Sequence, residues 1–177
     1  MTLNKAITNQ LSQFNRVLIS QVDFQNCYGI AKHILDNNLY ESDTHTNRYL
    51  LEGMCVGMVV AYCRPFSENN DGNLSNNFIR ELNKGEKEIH NQALYLRNKA
   101  LAHSDSDVWE MNPHYIEVGN NERQLMPFHN CVHDPVPISF TKELMKLAKK
   151  QLQQCIVNQK KLETKIGEHI PIFDINA

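Results

Sequence analysis

The sequence predicts an all-α protein, a bundle of four to five helices with a small β-hairpin insertion before the last long helix. Three observations predict it. Apolar residues recur at three- and four-residue steps through most of the chain, the period of a helix with one buried face. Breaks rich in Pro, Asn and Gly fall between the periodic stretches and not inside them. No strand-helix-strand alternation runs through the chain, so a parallel sheet is not expected. With 177 residues the chain holds one domain with its own core and is short for two, so residues 1–177 are read as one unit.

The elements follow in order. Leu3, Ile7, Leu11, Phe14 and Leu18 mark a first amphipathic helix. A second periodic stretch, Phe24, Cys27, Ile30, Ile34 and Leu35, stops at Asn37-Asn38. Asp43 or Thr44 can cap the next helix, which is apolar nearly all round and runs to about Arg64. Gly53 and Gly57 lie four apart in it and offer a face for close approach of a neighbour, and Pro65 ends it.

Arg64 to Asn77 reads as a loop, Phe78 to Asn83 as a short helix before Gly85. From Glu86, the pattern Ile89, Ala93, Leu96, Ala100 predicts a helix reaching about His103. The segment 114–132 is the hairpin: Tyr115-Ile116-Glu117-Val118, a Gly119-Asn120-Asn121 turn, then Gln124 to Phe128. Ser139 or Thr141 can cap the last helix. Its buried stripe is Leu144, Leu147, Leu152, Cys155 or Ile156, Leu162 and Ile166, and its seven lysines from Lys142 to Lys165 form a solvated face.

Composition narrows the function classes. A formal net charge of −2 gives no global sign of a nucleic-acid or anionic-membrane partner, so any polyanion must be held by a local basic site. The five cysteines are odd in number and scattered, with no CxxC pair, and Met1 to Gln21 lacks the apolar core of a signal peptide. Both fit a reducing, cytoplasmic setting. The apolar run Tyr49 to Cys63 contains Glu52 and is shorter than the roughly 20 residues of a membrane span, so no membrane association is expected.

The segment that carries chemistry is Leu96 to Asp105, LRNKALAHSD. Arginine stays charged and grips phosphate through paired hydrogen bonds. Histidine moves a proton near neutral pH. Arg97 and His103 are thus a pair suited to cutting RNA by activating a 2′-hydroxyl or protonating a leaving oxygen. Spacing alone is weak: six arginines and eight histidines give roughly one such match by chance. Arg123 and His129 have the same gap, but Pro127 interrupts them and they fall in the hairpin. An Arg and a His near a helix C-terminus can also simply bond the last-turn carbonyls.

Context separates the two matches. An arginine near a helix end, a polar residue directly after it, and a short, mainly apolar stretch up to a histidine resemble the signature of the HEPN superfamily of helical domains. The wording looks most like its abortive-infection and toxin-like branch. The resemblance implies a metal-independent endoribonuclease of a toxin-antitoxin or phage-defence kind. It would need no cofactor, act on RNA as a homodimer, and be held in check by an antitoxin or regulatory protein. Carried over, Arg97 would stabilise the scissile phosphate, His103 would serve as acid and base, and Asn98 would support them. Asp105 stands where some family toxins carry a tyrosine that a partner nucleotidyltransferase modifies, so that arrangement is not implied here. The alternative is a non-catalytic HEPN-like module that binds nucleotide, nucleic acid or a protein partner.

On a straight α-helix, six steps of 100° put His103 about 120° round from Arg97 and about 9 Å along the axis. Two such side chains do not converge on one phosphate, and a two-fold dimer pairing these helices would bring both kinds into one cleft. His90, seven residues before Arg97, shares its face and is a further candidate for assistance or RNA binding, with a surface or interface histidine as the plainer reading. Asp105 either orients His103 or ends the helix. Arg64, beside Pro65, is a candidate for the same groove that nothing in the sequence places there. His129, Cys131 and His133 alternate beside Asp134 and are zinc-ligand types, but they lack a clear fourth ligand and the paired spacing of a structural site, so no metal is expected.

Overall fold

The computed structural model describes residues 5–41, 45–67, 73–101, 111–119, 122–129 and 136–167. Over these the chain is an all-α bundle with one small antiparallel hairpin. The helices are α1 (Lys5–Asp36), α2 (His45–Cys63), the short α3 (Asn77–Arg80), α4 (Lys84–Tyr95) and α5 (Ile138–Ile166). The hairpin strands β1 (Met111–Glu117) and β2 (Arg123–His129) lie between α4 and α5 in the chain.

The two periodic stretches at the start form one helix of 32 residues. Its buried face is continuous, through Phe14, Val17, Ser20, Phe24, Cys27, Ala31 and Ile34. Two polar residues on this face find partners in place. Ser20 Oγ donates to the Arg16 carbonyl at 2.7 Å, and Asp23 pairs with Arg64. At the far end the Asn37 backbone N–H and side-chain Nδ2 both donate to the His33 carbonyl, and Asn38 turns the chain at φ +48°.

α1 packs on both α2 and α5. Cys55, Met58, Val59 and Tyr62 of α2 belong to one core cluster with Phe24 and Ile34 of α1. Tyr49 and Leu50, near the start of α2, are exposed, so the helix is central only over its later turns. The residues expected to cap it, Asp43 and Thr44, lie outside the described residues. The glycines do less than expected: a Cβ at Gly57 would meet Ile30 at an ordinary 3.6 Å, and one at Gly53 would meet nothing. Pro65 acts as predicted. α2 stops at Cys63, and Arg64–Phe66 make a 3₁₀ turn that buries the proline.

Asn83 starts α4 with a capping box: its side chain accepts from the Glu86 N–H at 2.9 Å, and Glu86 accepts from the Asn83 N–H at 2.8 Å. Glu86 also binds Lys150 of α5 at 2.6 Å, and this partner holds the Glu86 carboxyl below its usual range. The α-helix predicted to run on toward His103 ends at Tyr95, and Leu96–Leu101 continue it as a π-helical turn. The wider turn, with i→i+5 bonding, advances each residue by less than an α-helix does. The 120° offset derived for a straight helix therefore does not describe this segment.

α5 also departs from its expected start. It begins at Ile138 directly after Pro137 with no side-chain cap, so neither Ser139 nor Thr141 caps it. Thr141 is fully buried inside the first turn instead. Tyr40 Oη lies 2.6 Å from its Oγ1 and donates to the Val136 carbonyl at 2.6 Å. Leu144, Leu147, Ala148, Gln151, Cys155 and Ile166 are buried, whereas Ile156 is exposed. Of the seven lysines, six are exposed, and Lys150 is the one drawn to α4.

The first strand of the hairpin begins four residues earlier than expected, at Met111 in place of Tyr115, and its register runs from Met111↔His129 to Glu117↔Arg123. Val118 N–H donates to Glu122 O at 2.8 Å across the turn, and Gly119 takes φ +46° there. Antiparallel pairs alternate between hydrogen-bonded and non-hydrogen-bonded. Counting from Val118–Glu122, the pair Pro113↔Pro127 falls at a non-hydrogen-bonded position. Two residues without N–H groups thus sit where no ladder donor is needed. Among the described residues no helix is long and apolar enough to cross a membrane.

Candidate functional site

The π turn at the end of α4 carries Arg97 and Asn98. Arg97 is half-buried and Asn98 exposed, and Arg97 Nη1 donates to Asn98 Oδ1 at 3.3 Å. The turn packs against α2, and the Arg97 charge acts on the Cys63 thiol, drawing its pKa down while burial pushes it up to about 12. Arg97 is therefore held at the C-terminal end of α2. The next residue along that chain, Arg64, is exposed and reaches back to Asp23 Oδ1 at 3.6 Å.

Asp23 has little contact with solvent. Burial raises its pKa, opposed by Arg64 and then by Arg16. Arg16 is itself buried, and its Nη2 donates to the Arg64 carbonyl at 2.7 Å. The region thus gathers two cations at one end of α2, Arg64 and Arg97, with a buried carboxylate steadying the first.

A packed aromatic group joins α1, α2 and α4. His90 is 2% exposed, which corrects its reading as a surface or interface histidine. Its Nδ1 is 3.0 Å from Tyr62 Oη, and its ring stands edge-on to Phe66 with centroids 4.7 Å apart. Phe24 meets both Tyr62 and Phe66 at 5.9 Å. Burial lowers the His90 pKa and raises that of the Tyr62 phenol. A neutral imidazole accepting from a protonated phenol fits both shifts. Buried in this way, His90 ties α4 to Tyr62 of α2 and to Phe66.

His103 and Asp105 lie outside the described residues, as do Cys131, His133 and Asp134. The backbone of His129 ends β2, and among the described residues no group of His, Cys, Asp and Glu is placed to hold a metal ion. Arg123 and His129, the second pair with the same spacing, stand at opposite ends of β2, about 20 Å apart along an extended strand. They form no joint site. Sequence reading missed Arg16, Asp23 and Tyr62. Their signal was positional: each continues the buried stripe of its helix where an apolar residue would be ordinary.

Comparison of the chain with protein-family models, with curated proteins and with solved structures finds no match in any of the three.

Proposed function

We propose that the protein is a metal-independent endoribonuclease of the HEPN type that cuts RNA through 2′-hydroxyl attack, with Arg97 and His103 as its catalytic pair. The observation that carries the reading is the setting of Arg97. It sits on a π turn, a form of helix that concentrates at functional sites, is bonded to the polar Asn98, and acts on Cys63, the residue that precedes a second cation, Arg64. In this reading the guanidinium takes the scissile phosphate and neutralises charge as it develops. Asn98 holds the guanidinium's orientation, and His103 moves the proton. Two copies of the chain pairing their α4 ends supply the composite site, RNA is the substrate, and an antitoxin or regulatory protein restrains a toxin or phage-defence activity.

The test is direct. Purified protein should cut single-stranded RNA in EDTA and leave a 2′,3′-cyclic phosphate, and Arg97→Ala or His103→Ala should abolish cutting. Equal cutting by both variants and the parent would remove these residues from the site. Equal RNA binding by all three without cutting would favour a non-catalytic binding module.

A further inference from the structure

The hairpin is a sheet of two strands alone, and such a pair is marginal in water unless a further element packs on one of its faces. Here β1 and β2 pack chiefly on each other. Side chains alternate between the two faces of a strand. The register therefore puts Tyr115 and Glu117 of β1 on one face with their partners Leu125 and Arg123 of β2. All four are exposed, Tyr115 at 66% and Leu125 at 52%, and the side chains of Glu117 and Arg123 at 75% and 69%. Among the described residues nothing covers this face.

The layout of the face points to its occupant. Tyr115↔Leu125 is an apolar row. Glu117↔Arg123, two residues nearer the turn, is a row with one charge of each sign, 3.8 Å apart. A two-fold axis parallel to the strands lays β1 of one copy over β2 of another at the same level. Tyr115 then faces the second copy's Leu125, and Glu117 faces the second copy's Arg123. The apolar rows meet, and the four charges form a ring in which every neighbour has the opposite sign. Stacked sheets lie about 10 Å apart, a gap that a tyrosine and a leucine fill and that glutamate and arginine side chains span. An unrelated partner would have to match this pattern by its own sequence, whereas a second copy matches it by symmetry.

From this self-complementarity we propose that the Tyr115–Leu125 face of the hairpin is an interface between two copies of the chain, closing into a four-stranded sandwich with Glu117 and Arg123 paired across it. The face is small for a protein interface, so the dimer is weak, with dissociation in the micromolar range. The inference concerns the hairpin and does not rest on the ribonuclease reading.

Sedimentation velocity of the full chain, without RNA, tests it from micromolar to submillimolar protein. The parent should pass from monomer to dimer, and dimerisation should weaken as salt rises. Leu125→Lys should raise the dissociation constant at least tenfold. Glu117→Arg and Arg123→Glu each leave the charged row with a single sign, so each variant alone should lose at least tenfold as well. Mixed in equal amounts, these two variants should recover the parent's dimer, because each presents the charges that the other lacks. A role for the pair within one chain would give no such recovery. Gln124→Lys, on the opposite face, and Arg97→Ala should dimerise as the parent does. The hairpin side chains changed are all exposed, so circular dichroism should stay that of the parent. A parent that remains monomeric at the highest concentration, an undiminished dimer in Leu125→Lys, or no recovery in the mixture would each overturn the inference.

Discussion

Tyr62 and His90 meet in the core at 3.0 Å between Oη and Nδ1, joining α2 to α4, the helix whose π-helical continuation bears Arg97. Burial depresses the His90 pKa from its ordinary 6.5, so the folded protein binds less proton there than the unfolded chain. Stability should then rise with pH where the unfolded histidine still holds its proton and the folded one does not. Melting temperature should be level above about pH 7.5 and fall as the pH drops through 6.5 toward the folded pKa. His90→Gln, which keeps a hydrogen-bonding group near Tyr62, should flatten that slope between pH 6 and 7.5. An unchanged slope in the variant would show that another group sets it.

Tyr62→Phe probes the same bond at constant pH. It keeps the ring packing on Phe24 and Phe66 but leaves the buried Nδ1 of His90 without its partner. The expected loss is about 1–3 kcal/mol. For a chain of this size that lowers the melting temperature by about 2–4 °C per kcal/mol. Adding His90→Leu to Tyr62→Phe should cost less than the sum of the two single changes, because neither polar group is then stranded.

Tyr40 ties the turn after α1 to the start of α5 through Thr141 and the Val136 carbonyl. Tyr40→Phe strands both partners, and Thr141→Val strands the phenol in part. Each should cost about 1–3 kcal/mol in urea unfolding. Tyr40→Phe should be the costlier because it removes two bonds. The reverse order would mean that the Val136 carbonyl finds another donor.

The bundle was legible in the sequence because helical period survives wherever a stripe is apolar. Leu144, Leu147 and Cys155 on α5 are such positions, as are Phe14, Phe24 and Ile34 on α1. The continuity of α1 was hidden by Ser20 and Asp23, polar residues on the buried face: Ser20 bonds the Arg16 carbonyl within the helix, and Asp23 finds Arg64 only once the fold exists. The same cause misplaced His90 and Thr141: a polar side chain reads as surface or cap until its tertiary partner, here Tyr62 or Tyr40, is known. The π turn is a different case. Leu96–Leu101 contains neither Gly nor Pro, and nothing in its composition sets it apart from α-helix. Arg97 and Asn98 were singled out as candidates from their chemistry and their HEPN-like context, while the pairing of Arg64 with Asp23 at that end of α2 required the structure.

The hairpin's two prolines bear on solubility. At the non-hydrogen-bonded pair Pro113↔Pro127, backbone N–H groups would point outward to the two open edges, and proline removes them. Tyr115, Val118 and Leu125 are exposed on the same hairpin, so an unblocked edge would offer an apolar template. Pro113→Val with Pro127→Val should raise light scattering and thioflavin binding at high protein concentration. The thermal transition of the helices should stay where it was. A variant as soluble as the parent would mean that the hairpin edges are covered by other means.

The catalytic reading makes its sharpest prediction at Arg97. The residue is half-buried, and its bond to Asn98 is 3.3 Å long, so Arg97→Ala should change stability by no more than about 0.5 kcal/mol. Removing a charge-stabilising donor from a phosphoryl site costs about 10²–10³ in rate. Lysine keeps the charge but not the planar fork, so Arg97→Lys should recover little of that loss. Asn98→Ala leaves the charge and frees its orientation, and should give a smaller fall, about tenfold, with substrate affinity nearly unchanged. Single-turnover cleavage of a labelled RNA separates these terms. If Arg97→Lys cut as fast as the parent, the guanidinium would be serving as a simple counter-ion to bound RNA, and paired hydrogen bonding to the scissile phosphate would be excluded.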